Sequence, residues 1–231
     1  YTPHFTPRAA YAAMITRMDT YMGRVFDRLD ALGLREDTIV VFSSDNGTTH
    51  LGQEVDYEFF ESVGELRGLK GSLYEGGIRV PMIVRWPGAV KAGSVSDFVT
   101  GFEDLTPTLL ELIGAPVPQN EGLDGVSIAP TLLGQPQPER AFLYREFSGY
   151  GGQQAVWFGP WKAVRQNMLR KNNPTPLAIE LYNLQDDPSE AHNIAETHPD
   201  LRRQAEALMR REHTPSPWFP MAPIDTGDGA L

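Results

Sequence analysis

Cysteine is missing from the whole 231-residue chain, so disulfides and thiolate metal sites are excluded and the redox compartment is left open. Basic residues are scarce: 20 Lys and Arg stand against 30 Asp and Glu, a formal net charge of −10. A nucleic-acid binder needs a basic face, so that class is set aside. An enzyme for an anionic substrate would have to build positive potential locally, against an unfavourable global field. No apolar run approaches the roughly 20 residues that span a bilayer, so no membrane span is expected. The amino end carries neither an initiator methionine nor a signal peptide, and the chain is expected to be processed, truncated or a fragment. No internal repeat is visible. What remains is 41% hydrophobic and 22% charged, the balance of a soluble globular protein with enough chain for one large domain or a domain and a half.

The informative stretch runs from Thr38 to Pro81. Its β-branched apolar opening, Thr38 to Phe42, predicts a strand buried on both faces of a parallel sheet. Asp45, Asn46 and Gly47 fall where that strand must end. Ligands collect outside the carboxyl ends of strands in open α/β sheets, and a carboxylate beside an amide oxygen there suits a hard cation. Read alone, the same tripeptide is also a strong turn signal. Two glycine-dense segments follow, Arg67-Gly68-Leu69-Lys70-Gly71 and Tyr74-Glu75-Gly76-Gly77-Ile78-Arg79-Val80-Pro81. Gly-rich backbone next to a lysine suits an oxyanion with several oxygens, because amides approach closely and the ammonium is a compact charge.

These three segments together resemble the sulfatase family, the formylglycine-dependent arylsulfatase-like hydrolases of the alkaline phosphatase superfamily. The resemblance implies an α/β fold, an alkaline phosphatase-like parallel-sheet sandwich present in part, followed by a small carboxyl-terminal antiparallel sheet with a helix. It implies Ca2+ bound by Asp45 and Asn46, with Lys70 contacting the sulfate. The family nucleophile is a formylglycine made from Cys or Ser in a C/S-x-P-x-R motif, and no such motif occurs here. The Asp-Asp pair that supplies further calcium carboxylates is also missing, as are the family histidines. The resemblance therefore covers the carboxyl-terminal part of the family, and the nucleophile is expected from an amino-terminal half of the same enzyme. The implied reaction is hydrolysis of sulfate monoesters on a sulfated small molecule or polysaccharide, with this chain inactive alone. A secreted, periplasmic or lysosomal setting follows by the same analogy. Two other readings stay open: a phosphate or phosphonate ester hydrolase of the same superfamily, and a non-catalytic fragment or binding module.

Other candidates stand near the same stretch. His50 reads as an acid or base near the metal, or as an exposed loop residue. Arg79 is a further ligand-contact candidate, since guanidinium forks suit sulfate. Arg67 and Glu75 read as buttresses of the loop. The acidic stretch Thr48 to Glu65 is either a substrate rim or a loop anchored by buried Phe59 and Phe60, and the aromatics from Tyr57 to Phe60 suit a sugar.

Along the rest of the chain, apolar steps of three and four from Ala9 to Leu34 predict an amphipathic helix stopped by Gly33, with its methionines as core filler. Val80 to Trp86 and, more weakly, Val95 to Thr100 read as strands, and Glu103 to Ile113 as a helix with an acidic first turn. Beyond the polar linker Gly134 to Glu139, short runs at 141–146, 154–158, 161–166 and 180–183 predict an antiparallel sheet, with Gly159-Pro160 as a hairpin turn. Pro199 to Glu212 reads as a helix covering it. The expected organisation is 1–134 as catalytic-domain part, 135–213 as an α+β subdomain, and 214–231 as an extended tail.

Overall fold

The structure is a computed structural model and describes residues 4–52, 55–118 and 122–225. In chain order its elements are α1 (Pro7–Ala31), β1 (Val40–Ser43), α2 (Glu75–Ile78), β2 (Met82–Arg85), α3 (Leu105–Leu112), α4 (Ala129–Leu132), β3 (Leu143–Phe147), β4 (Gln153–Phe158), β5 (Trp161–Arg165), β6 (Glu180–Asn183) and α5 (Pro199–Glu212). The chain divides into two compact units. One comprises Tyr1–Ser43 with Pro81–Arg140, the other Ser44–Val80 with Ala141–Leu231. The linker expected at Gly134 to Glu139 lies just before the third crossing, after Arg140, whereas the excursion of residues 44–80 into the second unit has no counterpart in the expected organisation.

In the first unit, α1 starts with proline at its amino end and stops before Gly33, whose φ of 69° ends the helix. Its apolar stripe is uncovered: no residue of α1 is buried, and Ile15, Met18 and Val25 are exposed. The methionines expected as core filler therefore do not fill a core here. Phe26 and Asp30 do meet Arg85 of β2, the guanidinium lying 5.3 Å from the phenyl ring. β1 pairs with β2 antiparallel, Val40 opposite Arg85 and Ser43 opposite Met82. This corrects two expectations. The chain leaves one end of β1 and returns to that same end, so the pairing reverses, and no parallel pair occurs among the described residues. Nor is β1 covered on both faces, since Val41 and its neighbour Ile83 are exposed. Val95 to Thr100 forms no strand: among the described residues no strand pairs with it, and Val95 stands almost fully in solvent.

The buried centre of this unit sets a polar hub beside buried Ile128 and Ala129. The Asp104 carboxylate accepts hydrogen bonds from Thr100 Oγ1 (2.8 Å) and from the N–H groups of Gly101 (2.9 Å) and Val126 (2.8 Å), and it pairs with Arg140. Gly125 passes so close to Glu103 that an added Cβ would fall 2.1 Å from its carbonyl oxygen. The acidic turn before α3 thus ties the 122–128 segment in place.

The second unit is built on an antiparallel sheet in the order β3-β4-β5-β6. Gly159, at φ 55°, turns β4 into β5 with Phe158 opposite Trp161. Alternation sends Val156, Phe158, Ala163 and Leu181 to one face, where Ala205 and Met209 of α5 cover them. Ala155, Trp157, Val164 and Tyr182 point to the other face and pack against Leu73 and Tyr74. One face of the sheet therefore carries a helix, and the other carries the glycine-rich segment that leads into α2. Of the expected tail, residues 214–225 include buried Met221 and a carboxylate, Asp225, bonded to His213 at 2.9 Å; residues 226–231 lie outside the described residues.

Candidate functional site

The glycines of residues 47–77 are where backbones cross at less than side-chain distance. Gly47 donates its N–H to the Gly77 carbonyl (2.8 Å), and a Cβ on Gly47 would meet Gly76 O at 2.1 Å. Gly76 donates to Arg67 O (2.7 Å), and its own Cβ would strike Gly68 O at 2.3 Å. A Cβ at Gly77 would strike Ser72 O at 2.2 Å. Only glycine permits these approaches. The Lys70 N–H bonds to Thr48 O at 2.8 Å, so the lysine-bearing loop and the segment after Asp45-Asn46-Gly47 are joined backbone to backbone.

On that frame Asp45 and Lys70 are exposed and Asn46 is half-buried. Asn46 donates Nδ2 to Gly47 O (2.9 Å), which orients its side-chain amide, while Ser44 Oγ donates to the Asn46 main-chain carbonyl (2.9 Å). Both are hard oxygen donors of the kind a calcium ion takes, and they are two of the six to eight it needs. Among the described residues no group of three or more His, Cys, Asp or Glu is placed to hold a metal. His50 is exposed and meets the Tyr150 ring edge-on, centroids 5.4 Å apart. Arg79 is exposed as well, with Nη1 3.8 Å from Glu75 Oε2 and its N–H on Glu75 O at 2.7 Å. Phe59 is exposed and stacks edge-to-face on half-buried Phe60, so the reading of the 48–65 loop as anchored by two buried phenylalanines is overturned.

Beneath the glycine crossing lies a buried charge network. Lys162 on β5 has no exposed side-chain surface, and its Nζ is 2.8 Å from Glu75 Oε1 and 2.7 Å from Glu190 Oε1. Trp157 Nε1 donates to Glu75 Oε1 (3.0 Å), and the Glu75 N–H donates to Glu190 Oε2 (2.7 Å). Burial pushes the Glu190 pKa above its ordinary value, against the pull of Lys162. Arg67 stands 3.9 Å over the Tyr74 ring and donates to Tyr182 OH (2.8 Å) and Glu190 O (3.0 Å). Tyr74 and Tyr182 both donate to Glu180 Oε2, at 2.5 and 2.6 Å, and burial followed by that bond raises both phenol pKa values.

Arg67 and Glu75 are legible in the sequence as buttresses. Lys162, Glu190 and Tyr150 are not, because each acquires its role from partners far along the chain. The only local hint is Gly151-Gly152 beside Tyr150.

A helix-backed antiparallel sheet carries a glycine-crossed loop whose exposed lysine and Asp-Asn pair are residue types that suit an oxyanion and a hard cation. The family model described as Sulfatase matches residues 3–115, and the one described as N-sulphoglucosamine sulphohydrolase, C-terminal, matches residues 69–213. The chain belongs to the sulfatase family. It is 30% identical over 216 residues to an N-acetylgalactosamine-6-O-sulfatase of Bacteroides thetaiotaomicron, covering 87% of this chain and 41% of that protein. It is 39% identical over 171 residues to steryl-sulfatase of Mus musculus, covering 70% and 27%. Among solved structures it is similar to Ps i-CgsB in complex with k-i-k-neocarrahexaose, with a TM-score of 0.72, 30% identity, and coverage of 90% of this chain and 43% of that one. The α/β, alkaline phosphatase-like fold class is that of these sulfatases. The chain spans less than half the length of these relatives.

Proposed function

We propose that this chain is the carboxyl-terminal part of a sulfuric ester hydrolase that removes sulfate from a sulfated carbohydrate. The observation that carries the reading is the backbone lock of Gly47 onto Gly77 and of Lys70 onto Thr48, which gathers the Asp-Asn pair and the lysine of the family pattern onto one loop frame. A calcium ion, when bound, neutralises charge that develops on the sulfate oxygens as the ester S–O bond breaks. Asp45 brings an anionic oxygen to that ion and Asn46 a neutral one, so the ligand pair gives up only one of the cation's two charges. Lys70 holds its ammonium toward the sulfate from a loop that Gly68 and Gly71, at φ 87° and 88°, bend into place. Arg79 and His50 are lesser contacts to the same anion; Arg79 also answers to Glu75.

The formylglycine nucleophile and the remaining calcium ligands come from an amino-terminal half of the same enzyme. Support for that partner is the uncovered apolar stripe of α1, with Val41 and Ile83 likewise exposed. No helix among the described residues is long and apolar enough to cross a membrane. Action on a sulfated polysaccharide implies a secreted, periplasmic or lysosomal setting.

The test is Lys70→Met in the full-length protein. Hydrolysis of a sulfated sugar is expected to fall roughly 10²- to 10³-fold, the range for removing one preorganised charge-stabilising donor, while the unfolding midpoint stays put because the side chain is exposed. Undiminished turnover would overturn the assignment. Asn46→Asp is expected to hold calcium at least as well and inorganic sulfate less well; sulfate affinity equal to wild type would refute the division of charge between the two ligands.

A further inference from the structure

The turn between β3 and β4, residues 148–152, is held in a conformation that side chains rarely adopt. Tyr150 sits at φ 53°, in the left-handed region, followed by Gly151 and Gly152 at 97° and 78°. A bulky residue there is a genuine outlier, and such outliers persist where the surroundings over-determine them. The surroundings do so here. Gly151 and Gly152 accept hydrogen bonds from Leu169 N (2.7 Å) and Met168 N (3.0 Å). Gln153, fully buried at the start of β4, donates to Gly71 O (2.8 Å) and accepts from Leu73 N (3.0 Å), which fastens the turn to the lysine-bearing loop.

Yet the ring that this geometry presents is not used as core. Tyr150 is 57% exposed. One edge rests on the residue next to Lys70: a Cβ on Gly71 would fall 2.7 Å from both Cε2 and Cζ of Tyr150. His50 meets the ring at right angles (5.4 Å, 83°), and Phe147 lies tilted beside it at 5.9 Å. We propose that Tyr150, flanked by His50, is a subsite for the sugar ring that carries the sulfate held by Lys70. This rests on the sulfate-ester reading above.

Sugar rings present C–H faces to an aromatic plane and hydroxyls at their rim, so they need one exposed rigid ring with polar groups around it. Tyr150 offers that surface, with His50 on one side and Asn167 and exposed Arg170 around Gly151 on the other. A wholly apolar ring system such as a steroid would need an enclosed apolar slot instead. Holding the ring stiffly in advance also lowers the ordering cost of binding. A tyrosine has only two side-chain torsions to fix.

The experiment is steady-state hydrolysis of a panel of hexose and hexosamine monosulfates by the full-length protein, with inorganic sulfate as competitive inhibitor. Tyr150→Ala is expected to raise KM about tenfold, the loss of one stacking contact, with kcat within about twofold and the inhibition constant of sulfate unchanged. Tyr150→Phe and Tyr150→Trp, which keep the ring, are expected to restore KM to within about threefold. An unchanged KM in Tyr150→Ala, with wild-type turnover intact, would remove the subsite and leave the hydrolase reading standing. Equal weakening of sulfate inhibition and of KM would show that Tyr150 only props the Lys70 loop, and the subsite would fall. Absence of turnover on every monosulfate by wild type would overturn both readings together.

Discussion

Replacing Lys162 by methionine removes the one cation between two buried carboxylates. Its Nζ is 2.8 Å from Glu75 and 2.7 Å from Glu190, and the three side chains are 0%, 8% and 0% exposed, so solvent screens almost nothing. Methionine keeps most of the volume, which confines the perturbation to charge. Taking one partner from a buried ion pair typically costs about 3–5 kcal/mol, since the remaining charge is left uncompensated. That is a large share of the roughly 5–15 kcal/mol that holds a domain together. The hydrogen bonds from Trp157 Nε1 and from the Glu75 N–H remain, as does Arg79 Nη1 at 3.8 Å from Glu75 Oε2, so the lower half of the range is the better expectation. The pH dependence has a definite sign. Glu190 has a folded pKa raised by burial above its ordinary value of 4.5, and loss of Lys162 raises it further. Its contribution is therefore fully present below the unfolded value and lost as pH rises through the folded one. Urea unfolding of wild type and Lys162→Met at acidic and at neutral pH reads both effects. The variant should be destabilised at both, and more at neutral pH. Glu190→Gln added to Lys162→Met should recover part of the loss. A deficit below about 1 kcal/mol, or one that grows toward acidic pH, would refute the reasoning.

Gly47→Ala should be among the most damaging small substitutions, because its Cβ would stand 2.1 Å from Gly76 O; a loss of at least about 2 kcal/mol in urea unfolding is expected, and tolerance of alanine would show that the two segments do not cross this closely. Met209→Ala empties a fully buried position on the sheet-facing side of α5 and should cost about 2–5 kcal/mol, checked by the same unfolding curve. Asp187 is buried enough for desolvation to raise its pKa, but bonds from the Ala191 and His192 N–H groups and from Ser189 outweigh that and hold it below its ordinary value. Its contribution is present above the unfolded value and lost as pH falls through the folded one. Asp187→Asn should accordingly lower stability by about 1 kcal/mol at neutral pH and converge on wild type in acid, with a pH-independent gap as the contrary result.

The second unit was the more legible in sequence. Four short alternating runs, a Gly-Pro turn and a proline-started helix are local signals, and β3 to β6 and α5 fall on them within a few residues. Pairing direction is not local. Thr38 to Phe42 reads as an interior parallel strand, but its partner is set by where the chain returns, and Met82 returns it antiparallel. Val95 to Thr100 has strand-like residues and, among the described residues, no strand to join. Of the proposed site, the residue types are what the sequence displays: Asp45, Asn46 and Lys70 stand in a family pattern, and the glycines announce close approach without saying to what. Glu103 and Asp104 were visible as an acidic helix start, though not as a buried hub that binds Arg140. Lys162 and Glu190 look like surface residues in any window, and only the fold brings them under Glu75.

The central claim is that Asp45 and Asn46 hold a cation and Lys70 the sulfate group beside it. Its most direct test is a crystal structure of the full-length protein grown with calcium and inorganic sulfate. The expected result is a cation about 2.3–2.6 Å from an oxygen of each of Asp45 and Asn46, and a sulfate oxygen about 2.7–3.1 Å from Lys70 Nζ. Calcium bound elsewhere, or a sulfate held without Lys70 while its ammonium faces bulk water, would contradict it.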